Sequence, residues 1–157
     1  EGAKIATQEA QVILTKKTGK GFFVKNGLRN ALQTGCQYFI CCDASGKISF
    51  ENILKIAENL KGGKYNCVLG KRISTTGISK EREIVENFEN FLIEKKFKLK
   101  EPLKDEQCGC WGFSLEELPE ITLAGEGYEL ELEILIEALR HPKSRIAYCS
   151  VNVLETQ

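Results

Sequence analysis

Asp43 closes an apolar run, Gln37-Tyr38-Phe39-Ile40-Cys41-Cys42, and is followed by Ala44-Ser45-Gly46 and Lys47. A strand that ends on an acid puts a carboxylate at the carboxyl edge of an α/β sheet, the edge at which such sheets bind ligands. The chemistry open to Asp43 is that of a metal ligand or a sugar-nucleotide contact. Its other reading is local, as an Asx turn or a helix cap. Gly19-Lys20-Gly21 opens a run of helical spacing, so backbone N–H groups and the Lys20 ammonium could face an anion there. It has neither the P-loop nor the dinucleotide-binding spacing, and a plain surface turn is the competing reading. Gly70-Lys71-Arg72 ends another strand-like run, where Arg72 could clamp a phosphate or form an ion pair at the rim. Asp105-Glu106-Gln107-Cys108-Gly109 gathers two acids and an amide beside an extended segment, a place for a base or a sugar-hydroxyl ligand, or simply a polar loop. Glu133 lies among Leu130, Leu132, Ile134 and Leu135, where a carboxylate needs a partner unless the helix turns it outward.

The elements that must hold these residues alternate. Strands are expected at residues 10–14, 37–43, 65–69 and 145–153, with an extended segment at 107–113. Helices are expected at 22–32, at 50–60 behind a Ser49 cap, at 80–97 and at 128–140, the last stopped by His141-Pro142. A short helix capped by Ser114 is expected to reach Leu118. This order predicts one α/β domain over residues 1–157 with a largely parallel sheet, in which the strands ending at Asp43 and Arg72 are neighbours. The 80–97 helix carries an apolar stripe with Phe88, Phe91 and Phe97, then Lys95, Lys96, Lys98 and Lys100. Core packing with a solvated basic end is the expected reading, and a membrane surface is the other partner such a stripe fits.

Composition is that of an ordinary globular chain: 157 residues, 42% apolar and 28% charged, with zero net charge. Charge is uneven, since residues 101–140 hold two basic and eleven acidic side chains against a basic first hundred. No nucleic-acid partner is expected. No apolar run is long enough to cross a bilayer, and no leader segment is read, so the cytoplasm is the expected compartment. Seven cysteines and the single His141 form no zinc spacing, and reduced, buried thiols are expected. The chain opens on Glu1 and has no methionine, which leads us to expect a piece of a longer protein.

Taken in order, the motifs resemble those of family 2 glycosyltransferases in the dolichyl-phosphate mannose synthase-like branch. Gly19-Lys20-Gly21 is followed by Gly27-Leu28-Arg29-Asn30-Ala31, matching that branch's G-K-G and G-L-x-x-A. Asp43-Ala44-Ser45 stands where the branch has D-A-D, Gly70-Lys71-Arg72 where it has G-x-R, and Asp105 to Gly109 where it has D-x-Q-x-G. Gly127-Tyr128 then leads to Glu133-Ile134-Leu135, and Arg145-Ile146 opens a closing strand through Val151. The resemblance covers nearly all of residues 10–153. It implies a GT-A fold, a Rossmann-like, mostly parallel sheet flanked by helices and truncated at its amino-terminal end. It implies transfer of a hexose from a GDP- or UDP-sugar to a polyprenyl phosphate or similar acceptor, at the cytosolic face of a membrane. Lys20 and Arg72 would then face the diphosphate, Asp43 would bind diphosphate and Mg²⁺ or Mn²⁺, and Asp105 would be the base or an acceptor ligand.

Several residues depart from that pattern. The family's P-x-x-N-E and D-D-x-S strands are not visible, Ser45 replaces the second acid, Lys47 replaces a glutamine, and Ser150 replaces a proline. Mg²⁺ favours anionic oxygen ligands, so a lone carboxylate beside an ammonium makes a poor site. Lys47 could instead offset the diphosphate charge without a metal. The alternative to the enzyme is a non-catalytic domain of the same descent, acting in binding or assembly. Loss of the first strands would leave a sheet edge for a second copy or a complementary segment to cover.

Overall fold

The computed structural model describes residues 19–43, 48–73, 80–99, 102–103, 108–118, 123–127 and 129–152. They form α1 (Lys20–Gln33), β1 (Tyr38–Cys42), α2 (Phe50–Lys61), β2 (Cys67–Arg72), α3 (Lys80–Phe97), β3 (Cys110–Ser114), α4 (Leu130–Arg140) and β4 (Ile146–Val151). The strand expected at residues 10–14 lies outside the described residues.

The strand order is β1-β3-β2-β4. β3 is antiparallel to both β1 and β2, and only β2 and β4 pair in parallel. This corrects the expectation of a GT-A, Rossmann-like, mostly parallel sheet: the sheet is mixed, with one parallel pair. It also separates the strands that end at Asp43 and Arg72, because β3 lies between them. The cause lies in β3. Its five residues, Cys-Trp-Gly-Phe-Ser, are all buried, so it belongs at the centre of the sheet. The period-two alternation that marks a strand is the same whichever way the chain runs, so direction is not written in it. β1, β2 and β4 still run one way, and their carboxyl ends share an edge with the start of β3.

Alternation divides the core between two faces. On one, Cys67, Leu69, Trp111 and Phe113 pack with Val24, Leu28 and Ala31 of α1 and with Leu130, Ile134, Leu135 and Ala138 of α4. Trp111 and Phe113 stack there at 6.0 Å between ring centroids. On the other, Val68, Cys110, Cys149 and Val151 pack on Ile56 and Leu60 of α2. Gly112 permits this second contact, since a Cβ on it would lie 2.9 Å from Ile40 Cγ1 and 3.2 Å from Ile56 Cγ2. The result is an α/β/α sandwich.

Two local expectations are refined. Ser49 precedes α2 in extended backbone, but its side chain caps no amide; its Oγ accepts from Asn52 Nδ2 at 3.0 Å. Asn52 is buried and also donates to the Asn152 carbonyl at 3.1 Å, while Leu54, expected inside, is exposed. The Ser114 side chain does accept from the Glu117 amide at 3.2 Å, but it starts a single turn rather than a helix.

The stripe on α3 turns the opposite way from the expected core packing. Ile93 is buried and Phe97 packs on the core, whereas Ile84, Val85, Phe88, Phe91 and Leu92 are exposed. Ile93 lies half a turn around the helix from Ile84, so attaching one side leaves the other outward.

Candidate functional site

Asp43 leaves β1 with its amide bonded to the Gly109 carbonyl at 2.8 Å, so the end of β1 and the approach to β3 are held together. Gly109 leaves room for the Asp43 carboxylate, which a Cβ there would displace. Lys20, the first residue of α1, reaches across to Asp43 Oδ1 at 2.9 Å. Its ammonium also pairs with Oε1 of Glu131 on α4. Three elements thus meet in a carboxylate–ammonium–carboxylate cluster at the carboxyl edge of the sheet. Glu131 is buried, and its Oε2 has no hydrogen-bond partner among the described residues. Burial opposes the charge on Lys20, but the bonds from Glu131 and Asp43 outweigh it and raise its pKa.

The position of Lys20 follows from a chain of backbone contacts. Glu133 accepts from the Ala124 and Gly125 amides at 2.7 and 2.8 Å, which fixes the 123–127 segment to α4. That segment takes the Gly21 amide on the Glu126 carbonyl at 3.1 Å and the Lys25 ammonium on the Ala124 carbonyl at 2.9 Å. Gly21 allows this approach, since a Cβ would sit 2.6 Å from Glu126 Cα. The Gly21 amide, expected to face an anion, is therefore used internally, and only the Lys20 side chain looks to the sheet edge. Glu133 has found the partner that its setting required.

Arg72 ends β2 on the same edge and stands 3.9 Å from Glu86 of α3, a loose ion pair. Lys47 and Asp105 lie outside the described residues, as does Ser45. Of the residues singled out in the sequence, Lys20 and Asp43 come together and Arg72 shares their edge. Glu131 was not singled out. Its signal was present: Glu131 precedes Ile134, Leu135 and Ala138 by three, four and seven residues, the spacing of the buried stripe, whereas Glu133 falls off it.

A divalent cation does not fit the described donors. The Asp43 carboxylate is taken up by an ammonium, and no group of three His, Cys, Asp or Glu side chains among the described residues could hold a metal. All seven cysteines are free thiols. Burial pushes Cys41, beside the cluster, up to about 12, which keeps it a neutral thiol.

Fold and site together define an α/β/α domain on a mixed sheet, with a charged cluster at the edge where three strands end. No protein-family model and no curated protein matches the chain. Among solved structures it is similar to a mycobacterial protein known from a crystal structure, with a TM-score of 0.67 and 14% identity. The match covers 100% of this chain and 54% of the other, so the chain spans about half that protein's length. At that identity the likeness is one of fold. No helix among the described residues is long and apolar enough to cross a membrane.

Proposed function

We propose that this chain is a glycosyltransferase-like domain that moves a hexose from a GDP- or UDP-sugar to a polyprenyl phosphate or similar acceptor at the cytosolic face of a membrane. The observation that carries this reading is the junction of Lys20 and Asp43 at 2.9 Å, at the carboxyl edge of β1. Lys20 and Asp43 are 23 positions apart, and the motif around each resembles one of the same family, although Ser45 replaces the second acid after Asp43.

In the proposed reaction an acceptor phosphate oxygen attacks the anomeric carbon, the bond to the diphosphate oxygen breaks, and the nucleoside diphosphate departs with its electron pair. Configuration inverts. The protein's part is to hold the diphosphate and stabilise the charge that develops on it. Lys20 supplies an ammonium at the edge, Arg72 a second cation at the carboxyl end of β2, and Asp43 positions the Lys20 ammonium. Asp105 keeps the role the resemblance implies, base or acceptor ligand, and Lys47, which departs from the family's glutamine, offers its ammonium as counter-charge. Because the described donors do not suit a divalent cation, no step runs through one. β1 is a sheet edge among the described residues, and a second copy or complementary segment would pair along it.

A second reading, a non-catalytic domain acting in binding or assembly, is favoured by one observation: Lys20 is already shared between two carboxylates, and Arg72 faces Glu86. A transfer assay separates the two. Labelled hexose should pass from a GDP- or UDP-sugar to a polyprenyl phosphate, and Lys20→Met should lower the rate about a hundredfold, the scale of losing one charge-stabilising donor. Nucleotide-sugar binding without turnover would favour the second reading.

A further inference from the structure

We infer that the outer face of α3 docks on an anionic bilayer surface. Ile84, Val85, Phe88, Phe91 and Leu92 are 68, 53, 60, 55 and 49% exposed. At 3.6 residues per turn they occupy an arc of about 120°. Ile93, 6% exposed, and Phe97 fasten the helix to the core from the opposite side, so this arc points directly away from the domain. Surface helices ordinarily bury their apolar arc against their own core and give water the charged one. Here the helix is turned over, and five large apolar side chains within nine residues share one exposed arc, the kind of surface that marks a partner site.

The choice of a bilayer comes from what borders the patch. Lys95, Lys96 and Lys98 follow in the last turn and just past it. Lys95 Nζ lies 5.8 Å from the Phe91 ring centroid, so ammonium and phenyl groups are side by side. Glu81 and Glu83 lie in the first turn, so the positive charge gathers at the carboxyl-terminal end of the patch. Phenyl and aliphatic groups on a helix that does not span, with lysines at one end, are what an interfacial helix needs. The rings enter the headgroup–acyl boundary while flexible lysine stems carry their charge to lipid phosphates. The same helix reaches the candidate site through Glu86, 3.9 Å from Arg72. Docking by α3 would therefore bring the carboxyl edge of the sheet near the headgroup layer, where a lipid-phosphate acceptor is found. This last step rests on the proposed function; the docking itself does not.

Flotation of the full chain with phosphatidylcholine vesicles, with and without phosphatidylserine, tests the inference. The wild-type chain should float with the anionic vesicles, and added salt should weaken this. Phe88→Glu with Phe91→Glu should cut partitioning about tenfold or more. Lys95→Glu with Lys96→Glu should reduce the preference for phosphatidylserine about tenfold. All four positions are exposed, so both variants should keep the wild-type circular dichroism and unfolding midpoint. Failure of the wild type to float, or equal flotation of the phenylalanine variant, would overturn the proposal. So would a wild-type dimer that the phenylalanine variant dissociates in the absence of vesicle binding. Nucleotide-sugar titration of the same variant separates the two claims, because it should be unchanged where flotation is lost.

Discussion

Lys20 matters through the company it keeps. Its ammonium lies between the half-exposed Asp43 and the buried Glu131, and each contact depends on an element distant in sequence. Removing one partner of a buried pair leaves an uncompensated charge, which costs more than the pair's net worth. Lys20→Met should therefore destabilise the fold by about 3 kcal/mol in urea unfolding, and adding Glu131→Gln should recover part of that. The pair also sets a pH dependence. The Lys20 pKa in the folded chain stands above its ordinary 10.5, so the folded state holds that proton more tightly than the unfolded state does. The linked stability is complete below the unfolded value and is lost as pH rises through the folded one. Wild type should lose stability in this alkaline window, and Lys20→Met should lack that component; parallel curves would show that the ion pair is not what holds the cluster.

Among the elements, the join between α1, the 123–127 segment and α4 decides where Lys20 points. Gly21→Ala tests it with two opposed effects. Alanine within a helix gains about 1 kcal/mol of propensity over glycine. The added Cβ, however, would meet the backbone of Gly125 and Glu126, and overpacking of this kind costs about 1–3 kcal/mol. Backbone cannot rotate away as a side chain can, so a net loss of about 1 kcal/mol is expected by thermal unfolding, with weaker nucleotide-sugar binding. A gain in stability would show that the segment is not pressed against α1.

The apolar spacing predicts α1 to within two residues and α3 at its bounds, because helical period and strand alternation are local properties. Strand direction and order are not local. Nothing in Cys110-Trp111-Gly112-Phe113 tells which way β3 runs, and its insertion between β1 and β2 is a tertiary outcome. The stripe on α3 was legible as apolar, but which side meets the core was decided by Ile93 and Phe97. At the site, Asp43 and Lys20 could be picked out by residue type and position. Glu131 was hidden because an acid in an apolar stripe is assigned to water by default, and its pairing with Lys20 bridges 111 positions.

The sandwich as a whole leaves one exposed thiol. Cys36 is exposed, whereas the other six cysteines are buried or half-buried, with Cys67 pushed up to about 12 by burial. Native chain treated with an aromatic disulfide reagent at neutral pH should therefore release one equivalent promptly, from Cys36, and all seven only after denaturation. Prompt release of several would mean that the sheet opens readily. The same sandwich gathers Lys20, Asp43 and Arg72 on one edge, with Asp43 already facing an ammonium. Diphosphate recognition without a divalent cation is the central claim that follows, and calorimetric titration with GDP- and UDP-sugars, with and without Mn²⁺, tests it most directly. One of these donors should bind in both conditions, and Lys20→Met should abolish that binding. Absence of binding in both, or binding only with Mn²⁺ present, would contradict that claim.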